Sequence, residues 1–300
     1  MKCSSTDRDF FRQNGYVHLP EHFSAQQVTA LQDQHAELLD RARSILMETI
    51  ESGVSLQEMA QKRTQDLIVV PERDTPSVVC RFEFLTGFSA ETKVCFEEHV
   101  TPILDYLHGE PLVLFKDKCN EKNPQGGAFL PHQDYEAYQV FTPCYHATAM
   151  IAMDDMTLEN GCLYIAKGYR ESLQDHQDSI TEYEGGRPML LHETGGLRHG
   201  SIPENVSSLF DWQPVFARKG DLVVFDSFVP HYSEANLSDR PRSAYFLTYN
   251  LASEGDWYEE YYSQKRSNYD APHFHVATPT QIATPTQIAT PTQIVEVDRD

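Results

Sequence analysis

The chain has 300 residues, 40% of them hydrophobic, and a formal net charge of −21. It is long enough for one large domain or two small ones and can bury a sizeable core. The charge excludes a general nucleic-acid binder, because phosphate recognition needs clustered Lys and Arg, and fits a soluble protein whose copies repel one another.

Cys3, Cys80, Cys95, Cys119, Cys144 and Cys162 form no CxxC pair, so reduced thiols in a cytoplasmic protein are expected. Residues 1–9 lack an apolar run, so no signal peptide is expected. No stretch approaches the roughly 18 apolar residues of a membrane span.

In chain order, residues 7–14 predict a short helix and Gly15–Leu19 a strand that Pro20 stops. Ser24 and Gln27 form an S-x-x-Q capping box that opens a helix to about Arg43. Its apolar positions Val28, Leu31, Leu38 and Leu39 suit helical spacing. A second helical stretch covers about 43–65, and beyond it the chain reads mainly as strands.

These strands are Leu112–Asn120, Thr148–Met153, Cys162–Ala166, Pro214–Ala217, Asp221–Asp226 and Ser243–Leu251, with short pieces at Phe129–His132 and His231–Ser233. Asn160-Gly161 reads as the turn joining the second and third. Eight short strands with turn signals predict a mainly β fold with flanking helices, a jelly roll. An immunoglobulin-type sandwich fits the helical front end poorly.

Residues 167–212 show no clear period and carry Gly185-Gly186 and Gly195-Gly196. The segment is too long for an ordinary connector and reads as a lid or substrate loop inserted in a single domain, residues 1–276. Residues 277–294 are three copies of Ala-Thr-Pro-Thr-Gln-Ile, too few to bury a core, and read as an extended appendage.

Pro131-His132-Gln133-Asp134 is the chemical centre. Residues i and i+2 of a strand point the same way, so His132 and Asp134 can offer an imidazole and a carboxylate to one metal. His231, after the apolar strand Leu222–Phe225, is placed to supply a third ligand. Two His and one carboxylate leave coordination positions open, which suits Fe(II) oxygenases. Arg242 lies eleven residues after His231 on the next strand. A buried guanidinium there could clamp the far carboxylate of a keto-acid that chelates the iron.

Four segments carry a wider resemblance: Phe10–Leu19, Pro131–Asp134, Thr157–Tyr164 and Lys219–Asn250. In this order they resemble the phytanoyl-CoA dioxygenase family, and within it the ectoine hydroxylase branch. The resemblance implies a double-stranded β-helix of cupin-like type, with Fe(II), 2-oxoglutarate and O₂ as cofactors. It implies that His132, Asp134 and His231 hold the metal and that Arg242 binds the distal carboxylate of 2-oxoglutarate. Ser233, Asn120 and Phe129 match co-substrate contacts, and Tyr138 stands where ectoine hydroxylase has a Trp beside the iron pocket. After Leu163-Tyr164-Ile165 the family usually has Pro-Gly-Ser-His, whereas this chain has Lys167-Gly168-Tyr169-Arg170; no metal ligand is lost, but the pocket wall differs. Hydroxylation is the expected outcome. Halogenation is not, since it generally needs the carboxylate ligand absent.

With Asn120 at the co-substrate, alternation places Lys118 and Lys116 on the same face. These lysines, assisted by Arg81, suit an anionic group on a small-molecule substrate; Tyr135 and Glu136 are candidates for an amine on it. The pattern favours an aminoalkylphosphonate such as 2-aminoethylphosphonate over an ectoine-like amino acid. A cupin-type metalloenzyme without 2-oxoglutarate, with His273 and His275 as ligands, is a further reading; it has no use for Arg242. Nucleic acid and membrane are not expected partners.

Overall fold

The computed structural model describes residues 2–276; the hexapeptide repeats lie outside the described residues. Ser4 and Asp7 form a capping box on α1 (Ser5–Asn14), and Gly15, at φ 77°, ends it. β1 (Tyr16–Leu19) follows. Ser24 and Gln27 open α2 through the expected box, but the helix runs unbroken from Ala25 to Ser52. It does not end at Arg43, because residues 25–52 contain no Gly or Pro; Gly53, in the left-handed region, is the first residue able to stop it. The short α3 (Leu56–Lys62), capped by Ser55, completes the front end.

β2 (Ile68–Pro71), β3 (Val79–Glu83), α4 (Leu85–Phe88), α5 (Ala90–His99) and α6 (Thr101–His108) come next, in a stretch where no element is expected. α5 buries only Thr92 and Phe96 and so has no apolar stripe to announce it. The strands then appear close to their expected bounds: β4 (Leu112–Lys122), β5 (Phe129–His132), β6 (His146–Ala152) and β7 (Leu163–Lys167), with the one-turn α7 (Tyr135–Tyr138) after β5. Residues 167–212 hold α8 (Tyr169–Ser172), the hairpin β8 (Ile180–Glu184) and β9 (Arg187–Leu190), and α9 (Glu204–Ser207). β10 (Asp211–Val215), β11 (Leu222–Asp226), β12 (His231–Ser233), β13 (Arg242–Leu251) and α10 (Tyr258–Ser267) complete the described chain.

The strands form a jelly roll. One sheet has seven strands in the order β1-β11-β6-β13-β4-β3-β2, the other has four in the order β10-β7-β12-β5, and all pairings are antiparallel. β6 and β7 are neighbours in sequence but not a hairpin: β6 pairs with β11 and β13, β7 with β10 and β12. The Asn160-Gly161 turn therefore carries the chain from one sheet to the other. Gly161 sits at φ +72°, and a Cβ there would lie 2.2 Å from the Glu234 carbonyl, so the crossing needs glycine.

Both faces of the large sheet are covered, and alternation sorts its side chains. Ala147, Ala149 and Ile151 of β6 join Val224 and Leu247 under a helical layer that includes Leu31, Leu38, Ile45, Ile103 and Leu107. Met150 and Ala152 point the other way, with Val223, Phe225 and Ala244, onto Leu163 and Ile165 of the small sheet. The cavity opens at the end of this inter-sheet layer, where β4, β5, β12 and β13 meet.

Candidate active site

β12 pairs with β5 so that His231 stands directly opposite His132. Their rings are 4.3 Å apart between centroids. Asp134, just past the end of β5, brings Oδ1 to 3.7 Å from His132 Nε2 and 3.9 Å from His231 Nε2. Each ring donates its Nδ1–H to a backbone carbonyl two residues back: His132 to Leu130 at 2.6 Å and His231 to Val229 at 3.0 Å. These bonds leave the Nε2 lone pairs facing the carboxylate, the tautomer a metal ligand requires. Burial, then the neighbouring His231 ring, pushes His132 down to about 3, so this imidazole is neutral near pH 7. Burial acts to raise Asp134, but His231, His132 and the two lysines Lys118 and Lys116 outweigh it and hold the carboxylate at about 2. Two imidazoles and one ionised carboxylate, converging from three positions, form a donor set that fits Fe(II).

Gln133, between the two ligands of the motif, is buried and saturated. Its Nε2 donates to Pro188 O at 2.9 Å and to Phe228 O at 2.6 Å, and its Oε1 accepts from Leu190 N at 2.8 Å. One side chain thus ties the His132–Asp134 segment to the turn before His231 and to the β8–β9 hairpin. The same segment is held by Ile202 N donating to Pro131 O at 2.7 Å. Residues 187–202 consequently wrap the back of the triad. Behind Asp134, Oδ2 faces Thr148 Oγ1 at 3.4 Å, and Thr148 contacts Thr248 at 3.0 Å.

The triad lines a partly open cavity. Its polar wall is cationic: Lys118 and Lys122 from β4 and Arg242 from β13, with Asn120 and Ser233 beside them. Met150, Leu163 and Phe246 supply the apolar wall. Arg242 is buried, donates through Nη2 to Gly161 O, and leaves Nε without a hydrogen-bond partner. No carboxylate lies within ion-pair distance of it among the described residues. Burial pushes its guanidinium down to about 10. Lys122, opposite Arg242 in the ladder, donates to Ser233 Oγ at 2.7 Å and to Glu234 O. Burial, then Arg242, pushes its ammonium well below the ordinary range. Buried charges of one sign without a counter-charge are costly, and an anionic ligand relieves that cost.

The family model for phytanoyl-CoA dioxygenase (PhyH) matches residues 11–244. The chain belongs to the phytanoyl-CoA dioxygenase family. It is an oxygenase of the Fe(II)- and 2-oxoglutarate-dependent type. A 2-aminoethylphosphonate dioxygenase of an uncultured bacterium is 37% identical over 64% of this chain and 66% of its own length. A methylphosphonate hydroxylase of Gimesia maris is 30% identical over 90% of both chains. The crystal structure of EctD from S. alaskensis with 2-oxoglutarate and 5-hydroxyectoine shares the fold, with a TM-score of 0.61 and 17% identity over 84% of this chain and 78% of that one.

Within this family frame, the structure brings only some of the expected residues to the cavity. His132, Asp134, His231, Arg242, Ser233, Asn120, Phe129 and Lys118 line it. Lys116 does not: it is buried between the rings of Tyr138 and Tyr261, 4.6 and 5.5 Å from their centroids. The register of β13 against β4 shifts just beyond Thr248, the partner of Lys116, and α10 covers this end of the sheet with Tyr261. Tyr138 packs on Phe115 instead of lining the cavity, its hydroxyl 3.4 Å from Thr248 Oγ1.

Tyr135 and Glu136 also face elsewhere. Strand alternation would carry Glu136 to the side of Asp134, but α7 begins at Tyr135, and a helical turn rotates successive residues away from the metal. Tyr135 stacks on Phe228 at 4.5 Å, while Glu136 accepts from Gln139 Nε2 at 2.6 Å and pairs with His192 at 3.2 Å. Arg81, across the ladder from Asn120, is spent on Glu83 at 2.8 Å and on Phe274 O at 3.2 Å, and lines an adjoining pocket with Phe129. His273 and His275 sit in the turn Pro272–His275 and do not line the cavity. Lys122 is the functional candidate that the sequence reading omits. The expected strand ends at Asn120, yet the alternation 116, 118, 120 continues to 122, and β4 runs that far.

Proposed function

We propose that the protein hydroxylates a small organophosphonate, with an aminoalkylphosphonate such as 2-aminoethylphosphonate as the first candidate. In this reading His132, Asp134 and His231 hold the iron, and Arg242, with Lys122 and Ser233, holds the distal carboxylate of 2-oxoglutarate. The observation that carries it is the charge of the cavity. Three cations, Lys118, Lys122 and Arg242, face the single carboxylate Asp134. A co-substrate dianion anchored at Arg242 and Lys122 leaves Lys118 for a further anionic group, and a phosphonate supplies one. The two phosphonate-acting relatives support the same class.

Bound iron with 2-oxoglutarate and O₂ supplies the oxidation of an unactivated C–H bond, 2-oxoglutarate leaving as succinate and CO₂. The chain's own residues do the rest. Arg242 offers a planar fork to a carboxylate. The Nδ1–H bonds of His132 and His231 hold the two imidazoles in the ligating tautomer. Met150, Leu163 and Phe246 keep water from the C–H bond under attack.

The test is succinate formation from 2-oxoglutarate with Fe(II), ascorbate and air. 2-Aminoethylphosphonate, methylphosphonate and ectoine are compared, with Asp134→Ala as control. Phosphonate-stimulated succinate with one hydroxylated product per turnover, abolished in the variant, is the expected result. Stimulation by ectoine alone overturns the phosphonate assignment.

A further inference from the structure

β4 presents Lys118, Asn120 and Lys122 to the cavity, so Cys119 and Glu121 point to its opposite face, toward α2. There they meet His35. Cys119 Sγ lies 3.4 Å from Glu121 Oε1; the His35 ring brings Nδ1 to 3.7 Å from Cys119 Sγ and Nε2 to 3.2 Å from Glu121 Oε1, and an ion would take one of these two nitrogens. We propose that His35, Cys119 and Glu121 form a second metal site, distinct from the catalytic triad, that takes a divalent transition ion of the zinc type.

Four observations carry this. One ligand atom from each residue lies within 4.8 Å of the others, the same limit that the catalytic triad meets. The donor types, one thiol, one imidazole and one carboxylate, are each ones that zinc accepts at tetrahedral sites. Glu121 is already oriented from behind: its Oε2 accepts from Ser243 Oγ at 2.9 Å, which leaves Oε1 aimed at the cluster. Finally, Tyr245 stands directly opposite Cys119 in the ladder, and its buried hydroxyl has no hydrogen-bond partner. Three protein donors leave a fourth position for a water, and that hydroxyl can take up a hydrogen bond with it.

The electrostatics point the same way. No Lys or Arg is within ion-pair distance of Glu121 among the described residues. A divalent ion would bind Cys119 as the thiolate, with its proton leaving to solvent. The rings of Phe82 and Tyr245, 6.0 and 5.8 Å from the His35 ring, enclose the site. Such an ion would staple α2 to the strand whose other face carries Lys118, Asn120 and Lys122.

The experiment uses full-length reduced protein carrying Asp134→Ala and His231→Ala, which removes the catalytic site. Titration with Co(II) is followed in the near ultraviolet for a thiolate-to-cobalt band, with bound metal counted by elemental analysis. One ion per chain with a thiolate band, displaced by Zn(II) and lost on adding Cys119→Ser, is expected. His35→Gln, checked for native circular dichroism, is expected to weaken binding by about tenfold or more and decides the matter if the serine variant does not fold. Absence of a bound ion in the catalytic-site double variant overturns the proposal. So does a thiolate band that survives Cys119→Ser, since another cysteine then supplies it.

Discussion

Lys122 and Arg242 stand directly opposite each other in the β4–β13 ladder, two buried basic groups with no carboxylate in ion-pair contact with either among the described residues. Like charges in this position repel, and a buried unpaired charge is a net cost to the fold. The arrangement makes sense as one half of an ion pair whose other half is a ligand. Arg242→Met gives up the hydrogen bond to Gly161 O, but relief of the unpaired charge should outweigh that loss and raise the melting temperature of the protein without co-substrate. At the same time it should weaken 2-oxoglutarate binding by about 100-fold, on the scale of one bidentate charged contact of roughly 3 kcal/mol. Thermal melting with and without 2-oxoglutarate reads both effects. A purely structural arginine would give the opposite sign in its absence.

A Lys118 variant tells substrate binding from co-substrate binding. Lys118 lines the cavity on the same strand face as Lys122 but four residues along β4 from that partner of Arg242. Lys118→Met should raise KM for the phosphonate by roughly 10- to 100-fold, the worth of a hydrogen bond to a charged group, while the affinity for 2-oxoglutarate changes little. Equal losses for both ligands would place the lysine at the co-substrate instead. Steady-state kinetics with each ligand varied in turn distinguishes the two.

Gln133 contributes through three buried hydrogen bonds that join the triad's two halves and the β8–β9 hairpin. Gln133→Leu has nearly the same bulk but leaves the Pro188 and Phe228 carbonyls and the Leu190 N–H unsatisfied. The expected cost is about 3 kcal/mol in urea unfolding and roughly tenfold in metal affinity by calorimetry, since the ligands lose their shared anchor. Retained stability with unchanged metal binding would show that residues 187–202 do not support the site.

What the sequence discloses follows the range of the interaction concerned. The convergence of His132 and Asp134 is local, two residues apart at a strand end, and His231 follows an apolar strand, so all three are legible. Strand alternation also points Lys118 and Asn120 inward. It fails at Glu136 because a helical turn replaces the strand one residue after Asp134, and at Lys116 because Tyr261 arrives from α10, far along the chain. The Asn160-Gly161 turn is visible, but not that it crosses between sheets: the crossing is set by its contact with Glu234 and by which strands β6 and β7 find as partners. The role of Gln133 depends wholly on carbonyls from distant segments and leaves no local signal.

His146 gives a test that concerns stability alone. It lies on β6 with no measurable exposure, packed edge-on against Phe115 at 4.6 Å and beside Tyr138 at 4.7 Å, and neither ring nitrogen has a hydrogen-bond partner. Burial, then the charge of Lys116, pushes its pKa from 6.5 to about 3. In the unfolded chain the ring protonates below about 6.5. Between that pH and 3 the unfolded state therefore binds one more proton than the folded state, and stability falls as pH falls through this window. His146→Leu, of similar volume, removes the titration and loses no hydrogen bond. It should leave stability at pH 7 unchanged or higher, and it should lower the acid dependence between pH 6.5 and 3 by up to one proton's worth, about 1.4 kcal/mol per pH unit. Urea unfolding of both proteins across this range makes the comparison, and parallel curves would mean that the ring has a polar partner in solution.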